Sequence, residues 1–211
     1  MITRSNKIIK LLIVSHFLSA CQPAIEEKKF LLPIIGEKHL SNTDTIYHTV
    51  GDFTLTNQFG ESVSHQTVKN KIYVADFFFA TCQSICPQMS KNMVDVQKAF
   101  EKDDDVLILS HTVNPLHDTV DVLNKYGIAY NAKKGKWHFL TGNKKDIYKL
   151  AQNDYLVNAL EDDGSEEGFI HSEFFLLIDK QSRIRGAYDG TDKIQVTKLI
   201  ADIKLLKTER P

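Results

Sequence analysis

Two cysteines, Cys82 and Cys86, stand four residues apart in the stretch Thr81-Cys82-Gln83-Ser84-Ile85-Cys86-Pro87. An apolar run precedes them, and Pro87 follows at a place suited to the first turn of a helix. Residues i and i+4 neighbour each other on a helix surface, so both thiols can face the same way. The unpaired amides and positive dipole end of a helix start favour anions, which eases ionisation of a thiol there. Thiolate is the form that attacks disulfides or binds soft metals, and a thiolate pair selects Cu(I) or zinc over magnesium. One helical turn also keeps the two Cα atoms within bridging range of a disulfide, although so short a loop gains little stability from closure. A buried, inert pair and a dithiol oxidoreductase fit the same two residues. The segment alone leaves these readings open.

A third ligand would separate a metal site from a redox dithiol, and the chain has eight histidines. His16 falls in the N-terminal segment, and His39 and His48 lie in or near a polar stretch that follows it. His65, His111, His117 and His138 lie in polar loops or near strand ends, where a surface or capping role is the default. His171 differs in context, because Gly168-Phe169-Ile170-His171-Ser172 leads straight into an apolar strand, residues 174–178. Met89 and Met93 recur with Val96 and Phe100 at helical spacing, which marks core rather than a methionine copper site. Asp162, Asp163, Glu166 and Glu167 form an acidic cluster ahead of His171, read as a solvated loop.

The elements that must position these residues alternate between strands and helices. Phe53 and Leu55 alternate with polar residues and are followed by the turn Asn57-Gln58-Phe59-Gly60, which predicts a short hairpin. Residues 72–79 (IYVADFFF) predict a strand buried on both faces, and residues 105–113 (DVLILSHTV) a second central strand. Between them the stripe of Met89, Met93, Val96 and Phe100 predicts a helix through about residue 101. Residues 117–126 predict a helix ended by Gly127. Residues 137–140 then give a strand, 146–151 a short helix, and 174–178 and 183–188 an antiparallel pair. Ile194, Leu199, Ile203 and Leu206 stripe a final helix. This order predicts an α/β domain of thioredoxin-like fold, a mixed central sheet flanked by helices with an N-terminal β-hairpin extension.

Arg4, Lys7 and Lys10 precede a short apolar run that ends in Leu18-Ser19-Ala20-Cys21. The run is well short of the roughly 20 apolar residues that span a bilayer. Small residues before a cysteine resemble the lipobox of bacterial lipoproteins, which makes residues 1–20 a signal peptide and Cys21 the lipidation site. Residues 21–48 read as a tether and 49–208 as the folded domain that carries Cys82, Cys86 and His171. The expected location is the cell envelope, with the domain in the periplasm and the lipid in a membrane, inner or outer. Apolar residues make up 42% and charged residues 25% of the 211, enough for a sizeable core. The formal net charge of −1, without a block of cations past the N-terminus, argues against a nucleic-acid partner.

The run VADFFFATCQSICPQM, the later LSHTVNP with Asp118, the WHFLTG segment and GFIHSEFFLLIDKQSRIRGAYDG resemble the Sco/SenC family. The resemblance covers roughly residues 49–206. It implies a thioredoxin-like, membrane-tethered protein that binds copper, as Cu(I) or Cu(II), and serves assembly of the binuclear copper centre of cytochrome c oxidase. It further implies Cys82, Cys86 and His171 as the metal ligands and a copper-accepting oxidase subunit as partner. A copper carrier is thus the leading expectation, and a thiol-disulfide oxidoreductase that uses Cys82 and Cys86 as catalytic residues is the alternative. Against an ordinary thioredoxin stand three residues between the cysteines instead of two, and a segment 169–173 without proline. One departure is visible: Asn114-Pro115 stands where the family carries Asp-Pro, while the following acidic position, Asp118, is kept.

Overall fold

The computed structural model describes residues 31–41, 43–157 and 172–209. Cys21 and His171, with the acidic cluster 162–167, lie outside the described residues. The hairpin expected near residue 55 is present as β3 (Thr54–Asn57) and β4 (Ser62–Ser64), with a single helical turn α1 (His65–Val68) behind it. Then come β5 (Ile72–Phe78), α2 (Cys86–Ala99), β6 (Val106–Thr112), α3 (Val120–Ala129), β7 (Trp137–Thr141) and α4 (Lys144–Lys149). A π-helical turn (Leu150–Asp154) prolongs α4, and β8 (Phe174–Ile178), β9 (Ile184–Asp189) and α5 (Lys193–Thr208) complete the domain. Upstream, β1 (Lys38–Leu40) and β2 (Thr45–Tyr47) pair with each other.

Among the described residues the main sheet has seven strands in the order β4-β3-β7-β6-β5-β8-β9. β7, β6 and β5 run parallel, while β8 is antiparallel to β5 and β9 to β8. This is the expected mixed α/β sheet of thioredoxin-like fold. β5 and β6 are buried along their whole length, as their apolar runs require. Phe78 meets Tyr126 of α3 at 5.1 Å, whereas its neighbour Phe77 meets Tyr155 at 5.6 Å on the opposite face, so both sides of the sheet are covered. Burying a side chain of this size contributes about 1.5–3 kcal/mol. Met89, Met93, Val96 and Phe100 of the α2 segment are all core, as their spacing predicts.

Four expectations need correction. Residues 31–48 are not all tether, because the compact unit begins at Leu31. The Arg185 guanidinium donates to the carbonyls of Leu32 and Pro33, at 2.7 and 2.9 Å, and Ile35 bridges to Ile184. Backbone bonds to a distant arginine leave no periodic signal in the sequence. Gly127 does not stop α3; the helix runs on to Ala129, and Asn131, with φ of 54°, takes the left-handed conformation that ends it. The helix expected at 146–151 starts at Lys144, because the Asn143 side chain accepts from the amides of Lys145 and Asp146. Ile194 is 80% exposed rather than part of the α5 stripe, and Val196 is buried in its place.

Candidate metal centre

The central strand β5 ends at Phe78, and Phe79-Ala80-Thr81 carries the chain out of the sheet to Cys82. The Cys82 amide donates back to the Phe79 carbonyl at 3.2 Å, starting a turn that hands over to α2 at Cys86. Ile85 occupies the N-cap position and offers no capping side chain. The Cys82 sulfur acts there instead, accepting the Cys86 amide at 3.4 Å, so a sulfur satisfies one of the orphan donors of the helix start. The Ser84 hydroxyl lies 3.5 Å from the same sulfur. Both cysteines are buried, Cys82 at 6% and Cys86 at 1% exposure, and no disulfide joins them.

The two thiols are electrically unlike. Hydrogen bonding from the Cys86 thiol, with help from the Ser84 hydroxyl and the amides of Cys86 and Ser84, outweighs burial and pushes the Cys82 thiol down to about 5. The Cys86 thiol is raised, because it gives its proton to that bond and because burial disfavours its anion. At neutral pH the pair is therefore one thiolate and one thiol bonded to it. This is a soft, nucleophilic sulfur next to a second that ionises when a cation or an electrophile displaces its proton.

Two buried carboxyls flank the turn. Asp76, in the middle of β5, accepts the Ser110 hydroxyl at 2.5 Å, and Trp137 Nε1 donates to Ser110 Oγ at 2.8 Å. Burial, opposed by that bond, pushes Asp76 up to about 7, and its charge adds to the rise of Cys86. Asp118 accepts the Ala80 amide at 3.0 Å and the Thr112 hydroxyl at 2.5 Å. Asn114, the family departure, is placed in the same loop, where its carbonyl accepts the amides of His117 and Asp118.

The structure thus brings Cys82 and Cys86 into hydrogen-bond contact. His171 and Cys21 fall outside the described residues. Among the described residues, no group of three His, Cys, Asp or Glu side chains is placed to hold a metal ion. Four of the described histidines have other occupations. His48 bonds the Asp154 carbonyl, His138 faces Asn57, His117 pairs with Asp118, and His111 stacks on Phe77 in the core. Sequence reasoning missed Asp76, whose signal was a lone carboxyl within an otherwise apolar strand.

A thioredoxin-like sheet whose central strand delivers an asymmetric dithiol to a helix start defines the class: a dithiol protein of thioredoxin-like fold. The family model described as SCO1/SenC matches residues 41–207, and the chain belongs to that family. A SCO1/SenC family lipoprotein from Bacillus anthracis is 32% identical, with a TM-score of 0.68 over 76% of this chain and 95% of its own. BsSco, a member of the Sco family of cytochrome c oxidase assembly proteins in which a disulfide switch was identified, is 30% identical (TM-score 0.67, covering 77% and 95%). Bradyrhizobium japonicum ScoI, solved with copper bound, shares the fold at 24% identity (TM-score 0.63, covering 75% and 99%).

Proposed function

We propose that this chain is a copper carrier that holds the ion with Cys82, Cys86 and His171 and delivers it to the binuclear copper centre of a cytochrome c oxidase subunit during assembly. The observation that carries the reading is the dithiol itself. The Cys82 sulfur accepts the Cys86 amide at the mouth of a helix, with both cysteines buried side by side, in a family whose members include an oxidase assembly protein and one solved with copper. Two thiolates suit Cu(I), and a neutral imidazole helps the same set hold Cu(II). Support for His171 comes from strand register. β8 is antiparallel to β5, with Leu176 opposite Ala75, so the chain enters β8 at the sheet edge where β5 ends and the Cys82 turn begins. Ser172, the residue after His171, is buried at that edge. The lipobox ending in Cys21, and a relative described as a lipoprotein, support a lipid anchor in the cell envelope with the domain in the periplasm.

The test is a Cu(I) titration of the fully reduced protein against a competing chelator. Wild type takes up one equivalent, Cys82→Ala and Cys86→Ala lose stoichiometric uptake, and His171→Ala weakens it. Full retention by either cysteine variant rules the site out. A second reading, a thiol-disulfide oxidoreductase of the cell envelope, is favoured by the depressed Cys82 thiol and by the disulfide switch of BsSco. Reduction of a model disulfide at a rate indifferent to His171→Ala, by protein that retains no copper, selects that reading.

A further inference from the structure

We propose that Asp118 is the positioning residue of the dithiol turn: from the neighbouring loop, its carboxylate holds the chain between the end of β5 and Cys82. The proposal rests on the reading of Cys82 and Cys86 as a working pair, whether for copper or for electrons. Asp118 is wholly buried, and its donors come from separate places in the fold. Its Oδ2 accepts the amide of Ala80, two residues before Cys82, and the hydroxyl of Thr112 at the end of β6. Its Oδ1 lies 2.9 Å from Nδ1 of the half-exposed His117.

The rest of the loop is built to keep that carboxylate in place. Thr112 Oγ1, having given its proton to Asp118, accepts the Asn114 amide at 3.0 Å, and the Asp118 amide returns to the Asn114 carbonyl at 2.9 Å. The Val113 amide donates to the Phe78 carbonyl at 2.8 Å, and Tyr148 donates its hydroxyl proton to the Val113 carbonyl at 3.0 Å. Past Phe78 the parallel ladder between β5 and β6 ends, and Ala80 is tied by a side chain instead of a strand. Disturbing this buried carboxylate is costly, because the Thr112 hydroxyl it would leave is wholly buried and the Ala80 amide would lose its partner at a partly buried place. That cost fixes where Cys82 stands relative to the Cys86 amide and the Ser84 hydroxyl, and those donors stabilise the reduced pair.

The experiment equilibrates the reduced protein with glutathione and its disulfide. The two cysteine sulfurs lose two electrons and form the S–S bond. Glutathione disulfide takes the electrons, its own S–S bond breaks, and it leaves as two thiols, one proton coming from Cys86 and one from the buffer. Asp118→Ala loosens the donors onto Cys82, destabilises the reduced form, and shifts the equilibrium at least tenfold toward the protein disulfide, about 30 mV more reducing. Asp118→Asn keeps one acceptor oxygen and shifts it by about threefold to fivefold, a partial rescue. Leu116→Ala, in the same loop but with its side chain 85% exposed, stays at the wild-type value. A folded Asp118→Ala within threefold of wild type overturns the proposal. If that variant does not fold, an Asp118→Asn equilibrium equal to wild type overturns it. A parallel Cu(I) titration of wild type keeps the two ideas apart, since failure to bind copper defeats the carrier reading and leaves the glutathione result to decide on Asp118.

Discussion

The two ends of β5 hold their surroundings by opposite means. Near Ile72, where the strand begins, Arg185 is 3% exposed and its donors are spent on four fixed acceptors: Asp179, Glu209 and the carbonyls of Leu32 and Pro33. Glu209 in turn accepts the Leu32 amide, and Asp179 takes two amides and the Arg183 guanidinium. Past Phe78, where the strand ends, the central polar atoms are two sulfurs that share a proton and can exchange it for a metal or a bond. One end is a closed knot that strengthens the fold; the other keeps partners that can be replaced. Stability and chemistry are thus separated by the length of a strand, seven residues or about 23 Å.

The largest effect expected from breaking this contrast lies at the knot. Arg185→Met leaves Glu209 and two carbonyls without their cation and should cost about 3–5 kcal/mol in denaturant unfolding, as removal of one partner of a buried ion pair does. The alkylation rate of Cys82 should stay at the wild-type value in the folded variant. A loss below 1 kcal/mol, or a changed thiol reactivity, would show that the two ends are not separate.

The contrast also explains what the sequence could reveal. The stripe of Met89, Met93, Val96 and Phe100, the apolar runs of β5 and β6, and the Cys82–Cys86 spacing are local patterns, and the elements they predict are present. The Arg185 knot joins residues 32, 33, 179, 185 and 209 and has no period, so residues 31–48 read as tether. The start of α4 at Lys144 was not legible, because the capping role of Asn143 depends on where the backbone turns. The dithiol was legible in outline, yet its asymmetry was not. That asymmetry comes first from the bond between the two thiols and from burial, with smaller help from Ser84, the amides of Cys86 and Ser84, and Asp76 within an apolar run.

A middle-sized effect concerns two buried groups on adjacent strands. His111 Nδ1 lies 3.3 Å from the Asp76 carbonyl, and its Nε2 is buried without a hydrogen-bond partner. Burial pushes His111 down to about 4 and Asp76 up to about 7. Between pH 4 and 6.5 the unfolded chain binds the histidine proton that the folded chain refuses, so this group makes stability rise with pH. Over pH 4 to 7 the folded chain keeps the aspartate proton that the unfolded chain has lost, so this group makes stability fall with pH. Each slope approaches about 1.4 kcal/mol per pH unit, and in the wild type they oppose each other. His111→Phe should expose the falling slope and gain about 1–3 kcal/mol at pH 7 by removing the orphan nitrogen. Asp76→Asn should expose the rising slope. Parallel stability curves for wild type and both variants between pH 4 and 6.5 would refute the pairing.

The smallest expected effect is an absence of change at the reactive end. An ordinary thiol near 8.5 gains more than tenfold in thiolate between pH 6 and 8, and its alkylation rate follows. Cys82, held near 5 by the donors around it, is already ionised across that range, so its iodoacetamide rate should rise by less than twofold. Cys86, raised by the bond it donates to Cys82 and by burial, should stay unlabelled until Cys82 is modified. Capture of Cu(I) by both sulfurs near neutrality then releases one thiol proton instead of two, so the affinity should climb one decade per pH unit from pH 7 to 8.5. A slope of two, or a tenfold rise in alkylation, would mean that Cys82 is protonated in the folded chain. The distinction between a sealed knot and a poised thiolate would then be lost.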